Sequence, residues 1–493
     1  MLKKPLVIGY PKIKSEKLIF SKIRNISSEY NILFANFHNS IIGVGGVGTV
    51  TRSMQKYIPN LHMVCYEPTF QKMTSYGDAT IYPVPLDLKT LHNFQIKYAK
   101  QYLWPLLHDM PPALSETKLP VYRQAYSLAS LKFAKTISKV SADNSKPWIY
   151  WINDYSLAGS IGFIREMNPQ AKICFSLRSP FGFSQYPKFF SEDAIFLVKS
   201  IIQADFISFH RTKDLINFLL LADKLSESIG NVKVDWKNHI IKYGDHLCVP
   251  RVVPLGNDPP YRLSLAKTKE VELLKNKFQA LVSGKKIISS ISRFEIHKGI
   301  KEELDSIEQL LKLFPESREE FVFIRVAYLA KEYLKIPAYQ DLYKYVYNKV
   351  KLINDTYGTD MWKPIIGLFD KKFTDSEVTG LLRASDILLV MSLADGFNHS
   401  SVEGVLSKLP KDSPLILLSS DVGSSDYLGQ APIRIMPKDS VDNAIKLFNA
   451  LRNNLSDTKR SQSNLLTMAR NLSTSNWTHT ILDAVTNINK VQE

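Results

Sequence analysis

The chain has 493 residues, 45 % of them apolar and 22 % charged, with a formal net charge of +16. That length exceeds the roughly 250–300 residues at which one hydrophobic core stops growing, so two domains are expected, and no tandem repeat, low-complexity tract or apolar run near the roughly 18 residues of a membrane span interrupts a globular pattern. The cysteines, Cys65, Cys174 and Cys248, lie far apart without metal-ligand spacing, which indicates neither a disulfide framework nor a zinc site and points to the cytoplasm; the positive charge calls for an anionic partner, and because the lysines are spread without a basic arm or an aromatic-basic signature, a small anionic substrate fits better than nucleic acid.

In chain order, MLKKPLVIGYPKIK holds an apolar segment before Pro11 that is too short for a signal-peptide core and reads as a first buried strand. Short apolar runs then alternate with longer amphipathic stretches: YNILFANF, HMVCY, WIYWI, KICFSL, DFISFH and VVPLG, followed by KIISSISRF, FVFIRVAYL, IIGLF, DILLVMSL and PLILLSS. Such alternation predicts parallel sheets flanked by helices. The turn-rich GNDPPYR and the lysine-rich piece from Ala266 to Lys286 separate the two sets, which gives an N-terminal domain over 1–260 and a second over 261–470. The tail, 471–493, carries Trp477, Ile481, Ala484, Val485 and Ile488 at helical spacing and predicts a terminal helix packing back on the N-terminal domain. Doubly wound domains bind ligands outside the carboxyl ends of their strands, so the chemistry is expected in the cleft between the two.

Three stretches carry chemistry. In ADGFNHSSVEGV, residues 394–405, a strand ending at Asp395 and a helix starting near Ser400 would set Asp395, Glu403 and free backbone N–H groups around one cleft edge, suited to a polyhydroxylated anionic ligand. The same letters also read as a turn pair, Asp395-Gly396, and a capping box in which Glu403 reaches back to Ser400. In SISRFEIHKGI, residues 290–300, Arg293 and Lys298 follow a β-rich run and precede a helical pattern; two cations there can neutralise a diphosphate leaving group, or be solvated surface charges. In GVGGVGTV, residues 43–50, Gly43, Gly45 and Gly48 satisfy GxGxxG, and Glu67 follows about twenty residues on, which keeps an NAD-dependent oxidoreductase as an alternative.

Taken together and in order, these blocks resemble the retaining glycosyltransferases of the trehalose-6-phosphate synthase type. SRFEIHKGI is similar to that family's Arg-x-x-x-x-Lys-Gly block and ADGFNHSSVEG to its Asp-Gly-x-Asn-x-x-x-x-Glu block. WINDYSL resembles the motif carrying its catalytic aspartate, CFSLRSPF its strand end with a histidine, and LWPLLHD its Trp-Pro acceptor-side element; ADFISFH, VPLGNDP and RVAYLAKEYLKIPAYQDL follow in the expected order. The resemblance implies an α/β chain of GT-B fold, two doubly wound Rossmann-like domains facing each other across a cleft, with the acceptor side on the first and the nucleotide sugar on the second. It implies a UDP- or GDP-glucose-like donor, a phosphorylated small-molecule acceptor, no cofactor, no metal, and no nucleic-acid or membrane partner; a homo-oligomer stays open.

Residue by residue, the resemblance places Arg293 and Lys298 on the donor diphosphate and Asp154 beside the reacting sugar. Gly45 and Gly46 would allow close backbone approach to the diphosphate. Gly396, Phe397, Asn398, His399 and Ser400 would bind donor phosphate and sugar oxygens around a helix N-terminus, Asp395 sugar hydroxyls, and Glu403 the ribose. Trp104, a core or cleft-wall aromatic on its own, and Lys331 would lie on the acceptor side. Several positions depart from the family pattern. Asn153 and Ser156 stand for two histidines, Phe94 and Gln95 for paired tyrosines, and Arg178 for the histidine near the donor sugar, where an arginine could meet a carboxylate or extra phosphate. A synthase with another donor or acceptor, of the glucosylglycerol-phosphate or pseudo-sugar type, and a non-catalytic sugar-nucleotide binder therefore remain as alternatives. His210-Arg211 reads as a strand-end surface pair, and His108, His297 and His399 show no metal-ligand spacing.

Overall fold

The computed structural model describes residues 16–488 apart from 40, 42–45, 70–71, 113, 115, 143–144, 183–191, 330–332, 410–414 and 453–457. The apolar segment expected as a first strand lies outside the described residues. The chain divides into two compact units, one made of Met1–Asp258 with Leu472–Glu493, the other of Pro259–Asn471.

The first unit is built on a ten-stranded sheet. Its strands are β1 (Asn31–His38), β2 (His62–Tyr66), β3 (Thr74–Tyr76), β4 (Ala79–Pro83), β5 (Trp148–Asn153), β6 (Lys172–Ser176), β7 (Phe206–Phe209), β8 (Val232–Asp235), β9 (Ile240–Tyr243) and β10 (His246–Val252). They lie in the order β3-β4-β2-β1-β5-β6-β7-β10-β9-β8. From β4 to β10 every pairing is parallel, and β3 and the β8–β9–β10 meander are antiparallel at the two edges. Apolar residues fill β1 and β5 without alternation because helices cover both faces of a parallel sheet. The VVPLG run is only the tail of a strand: β10 ends at Val252, and Val253 adds one further backbone bond to Phe209 O at 2.7 Å. β8 and β9 do not show as apolar runs because each is four residues long and mostly uncovered, the edge strand β8 alternating between half-buried and exposed and β9 burying only Ile241.

Strand order reverses between β1 and β5, where Asn31–Ala35 run beside Trp148–Ile152, so the ends of β1, β5 and β6 border the crevice of a doubly wound sheet. The terminal helix Thr474–Thr486 belongs to this unit. Its start is capped by Ser473, whose side chain accepts from Asn476 N, and Trp477 is fully buried with its ring 4.8 Å from that of Trp151. The outgoing and returning segments are laced together: Asn257 N donates to Leu472 O at 2.8 Å and Thr474 N to Asn257 O at 2.7 Å. A Cβ on Gly256 would lie 2.0 Å from the Ser473 carbonyl carbon, so only glycine permits this approach.

The second unit carries a six-stranded, wholly parallel sheet of β11 (Lys286–Arg293), β12 (Phe321–Tyr328), β13 (Ile365–Leu368), β14 (Ile387–Val390), β15 (Leu415–Ser419) and β16 (Ile433–Ile435). Its order is β13-β12-β11-β14-β15-β16, with the reversal between β11 and β14. Arg325, inside the apolar β12, is explained by Glu303 on the following helix of β11: Nε and Oε2 are 2.5 Å apart, and Ser290 Oγ donates to the same carboxylate at 2.6 Å. Burial pushes the Glu303 carboxyl up to about 7 against the pull of Arg325. No described helix is long and apolar enough to cross a membrane.

Candidate active site

In the second unit the reversal between β11 and β14 brings the loops leaving both strands side by side. β11 ends at Arg293, whose side chain is 63 % exposed with Nη1 3.1 Å from Glu295 Oε1. Buried Glu295 keeps that guanidinium firmly charged. A short turn, Ile296–Lys298, ends at Gly299, where φ is +71° and a Cβ would lie 1.9 Å from Met391 O. The two loops are thus in van der Waals contact, tied by Leu393 N donating to His297 O at 2.8 Å. This places Lys298 Nζ 2.5 Å from Asp395 Oδ2, with both side chains mostly buried.

Asp395 does not end its strand. β14 stops at Val390, and Asp395 instead pairs with the loop after β15: its N–H donates to Asp421 O at 3.1 Å, and Gly423 N donates to its carbonyl at 2.9 Å. A side chain at Gly423 would strike Gly396 O, 1.9 Å from an ideal Cβ. Asn398, at φ +73°, then does two jobs. Its Oδ1 accepts from Ser401 N at 3.0 Å, capping the helix His399–Leu406, while Nδ2 donates to Asp395 Oδ2 at 3.0 Å. The alternative reading, a capping box between Ser400 and Glu403, is therefore not what forms. Ser400 Oγ donates to Ile291 O on β11 at 3.1 Å, and Glu403 faces Arg262, whose Nη2 is 2.6 Å from Oε1.

Arg262 decides the direction of Glu403. It is 2 % exposed, and burial opposes its charge, but Glu403 and Asp375 more than compensate and hold it charged. In return Arg262 restrains the rise that burial imposes on the Glu403 carboxyl. Tyr261 OH donates to Asp375 at 3.0 Å, completing the cluster. The sequence reading passed over Arg262, although a charged residue amid the prolines of GNDPPYR was a signal that the linker had work in the fold.

In the first unit Asp154 follows β5 directly at φ +66°, ψ 164°, a region that L-residues seldom occupy and that marks functional sites. Its Oδ1 accepts from Tyr155 N at 3.0 Å, Arg178 N at 3.3 Å and Ser179 Oγ at 3.5 Å. The neighbouring Asn153 links Asn36 to Arg178: Nδ2 donates to Asn36 Oδ1 at 2.7 Å, and Oδ1 accepts from Arg178 Nε at 3.0 Å. The Arg178 guanidinium lies 5.6 Å over the Trp477 ring, a neighbour that helical periodicity alone assigned only to a core. Burial lowers the pKa of Arg178 to about 10, against the pull of Asp154.

The other expected residues fall variously. Trp104 is 5 % exposed, with its ring 4.1 Å from His108, which accounts for it as a packed aromatic. Gly46 opens the helix Gly46–Tyr57, whereas Gly43, Gly45 and Lys331 lie outside the described residues. Glu67 is engaged by Asn39 Nδ2 at 3.0 Å and by Thr69 through N at 3.0 Å and Oγ1 at 2.7 Å; burial would raise its pKa, but these donors pull it below the usual range. Its oxygens are therefore not set out for a ribose. His210 is no surface residue: it is 1 % exposed at the end of β7 with Nδ1 3.2 Å from Val253 O. Among the described residues no group of three or more His, Cys, Asp or Glu could hold a metal ion.

A family model described as Glycosyltransferase family 20 matches residues 32–487. The chain is 28 % identical over 356 residues to a probable alpha,alpha-trehalose-phosphate synthase (UDP-forming) of Arabidopsis thaliana, covering 71 % of this chain and 44 % of the relative. It is 27 % identical over 361 residues to a glucosylglycerol-phosphate synthase of Synechocystis, covering 69 % of this chain and 70 % of the relative. Among solved structures, the N-terminal domain of a trehalose-6-phosphate phosphatase from Candida albicans superposes with a TM-score of 0.84 at 22 % identity, covering 98 % of this chain and 99 % of that one. This likeness bears out the fold class read from the motifs. The chain spans less than half the length of the Arabidopsis relative.

Proposed function

The chain belongs to glycosyltransferase family 20, and from that premise we propose that it moves a sugar from a nucleoside diphosphate sugar to a phosphorylated acceptor with retention of anomeric configuration. The Arabidopsis relative's UDP-forming chemistry supports UDP as the leaving group. The observation that carries the reading is the pairing of Lys298 with Asp395 beside Arg293, at the strand-order reversal of the second sheet. Doubly wound sheets hold nucleotides at that point.

In the proposed reaction the acceptor hydroxyl attacks the anomeric carbon on the face from which the diphosphate departs. The bond between anomeric carbon and phosphate oxygen breaks, and the hydroxyl proton passes to the departing phosphate. Arg293, Lys298 and the N–H groups at the start of the helix His399–Leu406 take up the developing charge. These cations supply what a divalent ion supplies elsewhere, so turnover is expected to be independent of added metal. Asp395, positioned by Lys298 and Asn398, accepts from sugar hydroxyls; Glu403 takes the ribose side; Asp154 stands by the reacting sugar; the first unit takes the acceptor. Three buried, unbridged thiols at Cys65, Cys174 and Cys248 support a reducing compartment such as the cytoplasm.

Mass analysis of products after incubation with a panel of nucleotide sugars and phosphorylated acceptors tests the reading. A phosphorylated disaccharide or glucoside is expected. A product built on glycerol phosphate would favour the chemistry of the Synechocystis relative, and nucleotide-sugar binding without product would make the chain a binder. Binding of nicotinamide cofactors instead would revive the oxidoreductase, which the engagement of Glu67 already disfavours.

A further inference from the structure

Arg178 is anchored at one corner and open along the opposite edge. Nε donates to Asn153 Oδ1 at 3.0 Å, and Asn153 is held in turn by Asn36, so the plane of the guanidinium is set. The Trp477 ring lies 5.6 Å beneath it. The two terminal nitrogens, Nη1 and Nη2, are buried and meet no acceptor among the described residues. Asp154 is the nearby carboxylate, but the bonds to its Oδ1 come from backbone N–H groups and Ser179, with none from the guanidinium. A buried donor left without a partner is costly, and such groups in native proteins await a ligand or an ordered water. The open edge of an arginine offers parallel N–H groups matched to a carboxylate or phosphate; a hydroxyl could accept from it but would add no charge to the compensation that Asp154 supplies without a direct bond.

We propose that Arg178 is a specificity residue for an oxyanion carried by the sugar that sits against Asp154. The inference rests on the transferase reading above and deepens it: one of the two substrates presents a carboxylate or phosphate to this edge. The oxyanion has two sources, a hexuronate in the donor or the phosphate of the acceptor.

Calorimetric titration of the full chain separates them. One arm compares UDP-glucuronate with UDP-glucose; the other compares glucose 6-phosphate with glucose in the presence of UDP. Each is run on the wild type, Arg178→Gln and Arg178→Lys. In one arm the wild type is expected to prefer the anionic member, and Arg178→Gln to lower the anionic-to-neutral affinity ratio by about 10- to 100-fold, as loss of a charge-assisted pair implies. Arg178→Lys should retain part of the preference. Because the ratio is taken within one variant, a loss of folded protein cancels. Preference in the first arm assigns the oxyanion to the donor, and in the second to the acceptor. Ratios that Arg178→Gln leaves unchanged in both arms overturn the inference while the transferase reading stands. Failure of UDP and of both nucleotide sugars to bind overturns both.

Discussion

Lys298 Nζ and Asp395 Oδ2 lie 2.5 Å apart, joining the loop after β11 to the loop after β14. Each loop is held by its own backbone contacts, so the pair fixes the spacing of a cation and an acid where the strand order turns. Replacing Lys298 by Ala is expected to lower turnover on the order of 10² or more, the loss seen when an oxyanion-stabilising donor is removed. The measurement is the rate of nucleotide release with a productive donor and acceptor. Unchanged turnover would remove Lys298 from the departing diphosphate.

Asn398 combines a positive φ, a helix cap and a bond to Asp395. Asn398→Ala should cost roughly 1–3 kcal/mol, from the lost cap and the strained backbone, in urea unfolding. Asn398→Asp keeps a capping acceptor but turns a donor toward Asp395 into a second negative charge. It should retain more of the stability than Ala and bind nucleotide sugar more weakly than the wild type; equal binding would free Asn398 from positioning Asp395.

Removing the Arg262 side chain strands Glu403 in a buried place. Arg262→Ala is expected to destabilise the chain by about 3–5 kcal/mol near pH 7, because one partner of a buried pair is left uncompensated. The sign with pH follows from burial, which raises the Glu403 carboxyl above its ordinary value in the folded state while Arg262 restrains the rise. Without Arg262 the folded form binds the proton more tightly still. The deficit should therefore shrink as pH falls through the Glu403 pKa and be greatest above it; a deficit independent of pH would locate the loss in packing.

Asp109, half-buried at φ +53°, is pushed up to about 6 by burial, against the pull of Lys213. A raised carboxyl means the folded state holds its proton more tightly than the unfolded chain, so stability falls as pH rises from about 4 to about 6. Asp109→Asn, which tolerates the same backbone, should be more stable than the wild type above pH 6 by roughly 1–2 kcal/mol after allowing for solvent screening, with the gain vanishing below pH 4. Denaturant melts at pH 4, 5, 6 and 7 read this directly, and a constant difference would contradict it.

Periodicity and strand-end charges made much of this protein legible. Unbroken runs such as WIYWI and DILLVMSL can be buried on both faces only in a covered parallel sheet, so the doubly wound class follows from local pattern. Short half-exposed strands such as Val232–Asp235 escaped that logic, because their alternation is as common in surface turns as in edges. At the candidate site Arg293 ends its strand as the pattern implies, whereas Asp395 lies past the end of β14 at Val390 and is placed by its pairing with the loop after β15. The alternative reading of residues 394–405 as a capping box fails: Ser400-x-x-Glu403 satisfies a local rule, but Arg262, far away in sequence, claims the glutamate through a stronger charge-assisted contact, and Asn398 caps instead.

By itself the sequence determined the long apolar strands and the terminal helix, which depend on neighbours within a turn or two, and the family, which depends on blocks recurring in order along the chain. Tertiary structure alone decided who partners whom: that Lys298 meets Asp395, that Glu403 turns to Arg262, and that Trp477 underlies Arg178. Charges and rings choose among all partners the fold brings within a few ångströms, and those choices depend on burial and distance, neither of which is written in spacing along the chain.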